Sequence, residues 1–124
     1  MRVILVESDP IVVATVSRYL KKYNYDVFAV AGAQEAIHKI DTISPDVVVL
    51  DIALRGHSGI EFLHEFRSYH DWNHVPILVW TMQQMTQVQT SSLKQLGVSA
   101  VLYKPHTTLL QLQQKLDSLV KTHA

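Results

Sequence analysis

Five short runs of aliphatic and β-branched residues recur along the chain: Val3 to Val6, Val27 to Val30, Val47 to Leu50, Ile77 to Trp80 and Ala100 to Tyr103. Such runs read as strands. None alternates apolar with polar residues as a half-exposed sheet does, so most of these strands need cover on both faces. The segments between them can supply it. Ile11 to Tyr23 places Val13, Val16 and Leu20 on one face, with Pro10 suited to the first helical position and Ser8 or Asp9 to the cap. Ala33 to Ile40 aligns Ala33, Ala36, Ile37 and Ile40, and Ile60 to Tyr69 aligns Ile60, Leu63 and Phe66. Thr108 to Val120 carries Leu109, Leu112, Leu116 and Leu119 at spacings of three and four, and should pack along its whole length. Met85 to Leu96 is the weak member: Met85, Val88 and Leu96 form a thin apolar stripe among Thr, Ser and Gln, which predicts a helix able to shift, ended by Gly97. Strand alternating with helix predicts an α/β fold, an open parallel sheet with helices on both faces reached by right-handed crossovers. Periodicity leaves the strand order open.

At 124 residues the chain suits one domain, 1–124, around one core. Eleven basic residues balance eleven acidic ones, so no net field gathers a polyanion and direct nucleic-acid binding is not expected. The absence of cysteine excludes a disulfide framework and a thiolate metal site. The first apolar run ends at Glu7, too short for a signal-peptide core or a membrane span. A soluble, cytoplasmic protein is expected.

Ligands of open parallel sheets bind outside the carboxyl ends of the strands. The first strand ends in Glu7, Ser8 and Asp9, the third in Asp51, the fourth in Thr81 and the fifth in Lys104 followed by Pro105. Carboxylates from separate strands can offer hard oxygens to Mg²⁺, a hydroxyl can donate to an anion, and an ammonium can balance a phosphoryl group. Singly, Asp51 could cap a turn, Thr81 could merely favour the strand and Lys104 could be a solvated charge. As a set they suit phosphoryl transfer to a carboxylate.

The stretches VILVESDP, PDVVVLDIALRGHSG, VPILVWT and LYKP, in this order and spacing, resemble the response regulator receiver domains of two-component signalling over the whole chain. The resemblance implies a doubly wound, flavodoxin-like, five-stranded sheet of order 2-1-3-4-5. It implies Asp51 as phosphoacceptor and metal ligand, Thr81 as the switch hydroxyl that turns toward the phosphoryl oxygens, and Lys104 as their counter-charge. Glu7 matches the first residue of the family's acidic pair, and Ala53 would offer its backbone carbonyl to the metal. A cis Lys104–Pro105 peptide is implied too. The partners implied are a histidine kinase or phosphotransfer protein upstream, and an effector or a second copy downstream. The domain is then a switch in a phosphorelay rather than an enzyme.

Ser8 departs from this pattern. It stands where the family usually has a second acidic ligand, and a neutral hydroxyl adds no formal charge toward a hard dication, so weak Mg²⁺ binding is expected. Asp9 could compensate only by reorganising the start of the first helix, which it could otherwise cap. Val101 replaces a frequent aromatic switch residue, with Tyr103 nearer the lysine. Met82 is bulkier than the residue usual after the switch hydroxyl and could shield an acyl phosphate from water. Arg55 and His106 replace a loop proline and a frequent aromatic.

Rival sites are poorer. Gly56-His57-Ser58-Gly59 lacks the second glycine of a nucleophile elbow, because Ile60 stands there. His70 and His74 fall in a turn and read as solvated. No phosphate-cradling glycine pattern occurs. The alternative function is a pseudo-receiver, an interaction module that keeps the fold without regulated phosphorylation, and Ser8 is the feature that raises it.

Overall fold

A computed structural model describes residues 1–52 and 59–123. Its strands are β1 (Arg2–Val6), β2 (Asp26–Val30), β3 (Val47–Leu50), β4 (Ile77–Thr81) and β5 (Val98–Tyr103). The helices are α1 (Pro10–Lys21), α2 (Ala33–Ile43), α3 (Gly59–Ser68), α4 (Gln87–Gln95) and α5 (Leu109–His123). The five strands form one parallel sheet of order β2-β1-β3-β4-β5. This is the doubly wound arrangement that the resemblance implies.

Two apolar layers sandwich the sheet. Ile4, Val6, Val48, Leu50, Ile77 and Val79 face a core with Ile37 and Ile40 of α2, Phe62 and Phe66 of α3, and Leu93 of α4. Val3, Leu5, Val47, Val49, Leu78 and Trp80 face the opposite core with Val16 and Leu20 of α1 and Leu112 and Leu116 of α5. Successive strand residues thus point to opposite cores, both apolar, which is why β3 and β4 read as unbroken hydrophobic runs. The strand β2 departs from that rule: Asp26, Phe28 and Ala29 are exposed, because an edge strand has a neighbour on one side only.

Local chemistry sets the helix ends. Asp9 caps α1 by accepting from the Ile11 N–H at 2.9 Å, and Pro10 takes the first helical position. Helix α2 runs one turn beyond Ile40 and stops at Ser44 in the left-handed conformation. Helix α4 is shorter than expected and begins after Met85, at a capping box in which Thr86 and Gln89 satisfy each other's backbone N–H groups. Thr108 and Gln111 do the same at the start of α5. Gly97 follows α4 with φ +85°, and a side chain there would collide with Arg67. The Arg67 guanidinium fills that space, donating to the carbonyls of Leu96, Gly97, Asn73 and Val75 at 2.7 to 3.2 Å. Burial lowers the pKa of this guanidinium, which remains cationic.

Candidate functional site

Sheet parity assembles the site. Beyond β1 and β3 the ladder continues by one residue, the Glu7 N–H donating to Val30 and the Asp51 N–H to Val6. Counting by twos from Leu5, Val49 and Leu102, the residues Glu7, Asp51 and Lys104 extend the row that faces α1 and α5. The ends of β1, β3 and β5 therefore bring two carboxylates and an ammonium to one edge, although Lys104 lies 97 residues after Glu7 and 53 after Asp51.

Lys104 Nζ donates to Asp51 Oδ2 at 3.0 Å and to Glu7 Oε1 in a short ion pair. Glu7 Oε2 accepts from the N–H groups of Ser8 at 2.9 Å and Asp9 at 3.3 Å, so both of its oxygens have partners. Glu7 and Asp51 are buried. Burial works against the Lys104 ammonium, but the hydrogen bonds to Glu7 and Asp51, and the charges of both, outweigh it and raise its pKa above the ordinary lysine value. Lys104 is charged at neutral pH and bridges the two carboxylates.

Thr81 is completely buried at the end of β4, and its hydroxyl accepts from the Gln83 N–H at 3.1 Å. This bond ties the hydroxyl to the first residues of the segment leading into α4. Gly59, at the start of α3, rests against the backbone of Ile52 and Asp51; a Cβ there would lie 2.8 Å from the Ile52 Cα. The close approach locks the chain next to Asp51.

Of the uncertain acidic positions, Ser8 is half-buried beside Glu7, while Asp9 is exposed and its carboxylate is engaged in capping α1. Ala53 and Arg55 lie outside the described residues, as does the stretch 56–58. Met82 is exposed, Val101 is half-buried, and Tyr103 meets His106 edge-on at 4.9 Å. The expectation of a cis Lys104–Pro105 bond is overturned. No described peptide bond is cis, and Lys104–His106 forms a single 3₁₀ turn closed by the Thr107 N–H on the Lys104 carbonyl. The ammonium is directed by its ion pairs. His70 and His74 are exposed, and among the described residues no group of three or more His, Cys, Asp or Glu side chains is placed to hold a metal. Glu7 and Asp51 are nonetheless hard carboxylate donors side by side, chemistry that suits Mg²⁺.

Trp80 was missed in the sequence. Its indole lies beneath the lysine, with Lys104 Nζ 5.0 Å from the ring centroid. The signal was available: Trp80 shares the parity of Leu78, and β4 runs between the strands of Asp51 and Lys104.

Residues 3–117 match the response regulator receiver domain family, and the chain belongs to it. The regulatory protein VanR of Enterococcus faecium is 31% identical over 108 residues, which are 87% of this chain and 45% of VanR. The BeF3-activated N-terminal receiver domain of RstA from Klebsiella pneumoniae superposes with TM-score 0.85 at 27% identity, covering 98% of this chain and 99% of that one. The receiver domain of the sensor histidine kinase PA1611 from Pseudomonas aeruginosa PAO1, with a magnesium ion coordinated in its active site cleft, gives TM-score 0.84 at 24% identity over 97% of each chain. The chain spans less than half the length of the curated relatives it matches. It is a receiver domain of two-component signal transduction. Among the described residues no helix is long and apolar enough to cross a membrane.

Proposed function

We propose that the domain accepts a phosphoryl group on Asp51 from a histidine kinase or a histidine phosphotransfer protein, in the cytoplasm, and is a switch rather than an enzyme. The observation that carries this reading is the Lys104 ammonium held 3.0 Å from Asp51 Oδ2, a cation already placed where phosphoryl charge would arrive. An Asp51 oxygen attacks phosphorus, the P–N bond to the donor imidazole breaks, and the imidazole nitrogen keeps the electron pair. The buried Thr81 hydroxyl then exchanges its bond from the Gln83 N–H for donation to the phosphoryl group, which releases the start of the segment leading into α4. The face formed by α4, β5 and α5 would meet an effector or a second copy.

Glu7 and Asp51 would hold Mg²⁺, and the ion would supply positive charge to the transferring group. Ser8 reduces the formal charge available to it, so affinity is low. Ser8→Asp should tighten binding, read by calorimetry; equal affinity in both proteins would refute the role given to Ser8.

Intact mass after incubation with phosphoramidate tests the main reading. Wild type gains one phosphoryl group and Asp51→Asn gains none. An adduct that persists in Asp51→Asn moves the site elsewhere, and a wild type that never gains mass supports the pseudo-receiver.

A further inference from the structure

The lysine that balances Asp51 starts on β5 and must cross β4 to reach β3 and β1. The surface that it crosses is the indole of Trp80. We propose that Trp80 is a positioning residue for Lys104: its ring is the floor that holds the ammonium out over Asp51 and Glu7. The proposal rests on the reading of Asp51 as phosphoacceptor.

Three observations converge. The ammonium has three hydrogens to place: Asp51 and Glu7 accept two, and the Nζ lies over the Trp80 ring, 5.0 Å from its centroid. An indole is the best cation-binding ring among the side chains. Trp80 is itself buried, at 7% exposure, and the lysine side chain over it is nearly so, which strengthens every charge interaction of the ammonium.

The third observation is the Trp80 Nε1–H, which is buried with no hydrogen-bond partner among the described residues. A residue that only filled the layer between the sheet and α1 and α5 would do so better as Phe or Leu, without stranding a donor. What Trp adds over both is a broader and more electron-rich face, and that face is turned to the lysine. The unpaired N–H is the drawback accompanying it.

The consequence for transfer is geometric. A four-carbon lysine stem has many rotamers, and an ammonium free to swing toward solvent would meet the arriving phosphoryl group only part of the time. The ring removes those alternatives before the donor arrives.

The test compares wild type with Trp80→Phe, which keeps a π face and loses the stranded N–H, and Trp80→Leu, which keeps only apolar bulk. Lys104 Hε resonances should carry a ring-current upfield shift in wild type, less of it in Trp80→Phe and none in Trp80→Leu. The initial rate of mass gain with phosphoramidate should fall about fivefold in Trp80→Leu and less than about twofold in Trp80→Phe, while thermal stability differs little between the two variants. If Trp80→Leu does not fold, Trp80→Met takes its place. Identical Lys104 shifts in wild type and the aliphatic variant would overturn the contact. Equal rates in the Phe and aliphatic variants would overturn the positioning role. A wild type that gains no mass would refute the reading of Asp51, and the ring-current shift would still decide whether the indole holds the lysine.

Discussion

Helices α4 and α5 flank the same strand, β5, on opposite faces, and they are attached in different ways. Helix α5 buries Leu112, Gln113, Leu116, Leu119 and Val120, and its Asp117 accepts hydrogen bonds from Gln113 and from Tyr25, the residue before β2. Helix α4 buries Leu93 alone, while Val88 is 77% exposed. At roughly 1.5–3 kcal/mol for each fully buried aliphatic side chain, the attachment of α5 exceeds that of α4 several-fold. The weak helix is also held unevenly. Its far end abuts the turn gripped by Arg67, and its near end is stabilised by its own capping box and joined to Thr81 through residues 82–85. On the proposed reading, a change at the Thr81 hydroxyl would reach the end of α4 that is least anchored, with α5 as the fixed reference.

The largest effect should come from breaking the strong side. Leu116→Ala should cost about 3 kcal/mol of global stability in urea unfolding, through lost burial and a residual cavity. A loss below about 1 kcal/mol would mean that α5 is not held as described. Arg67→Met should come next, at about 2 kcal/mol, because it strands several carbonyls, and it should raise amide exchange over 93–97 more than over α5. Equal acceleration in both helices would remove the distinction between them.

Tyr25→Phe should remove about 1 kcal/mol at neutral pH and sharpen the comparison at high pH. Burial first, and then the hydrogen bond to Asp117 and its charge, raise the Tyr25 phenol above the ordinary tyrosine range. The folded state thus favours the neutral phenol. Its contribution is complete below the ordinary tyrosine value of 10.0 and is lost as pH rises above that value toward the folded one. Wild type should lose stability above pH 10 relative to Tyr25→Phe; parallel curves would show that the phenol does not secure α5. The smallest effect should be that of Thr86→Ala, about 0.5 kcal/mol and confined to exchange in α4.

The sequence showed the elements and the row of polar strand ends, because hydrophobic period and strand-end position are local properties. Boundaries shifted where side chains outside the periodic pattern decided them, as Thr86 does for α4 and Ser44 for α2. Strand order came only from the resemblance, since pairing between β1 and β3 leaves no mark within either run. The ties made by Arg67 and by Tyr25 with Asp117 were not legible for the same reason: each joins segments far apart in sequence through one polar side chain. Trp80 was hidden differently. It read as the end of an apolar strand, and only the parity of its neighbours places its ring under Lys104.

The span between Glu7 and Lys104 also has a temporal consequence. At a synthesis rate of about 5–20 residues per second, the 97 residues that separate them take roughly 5 to 20 s to emerge. Glu7 waits through that whole interval for the Lys104 ammonium and Asp51 through the last 53 residues of it, and β5 cannot yet pair with β4. A nascent chain halted before Lys104 carries the Asp51 carboxylate but lacks the ammonium that pairs with it. On the proposed reading of Asp51, competence to accept a phosphoryl group would therefore follow the docking of β5, and a chain halted before that point would not respond.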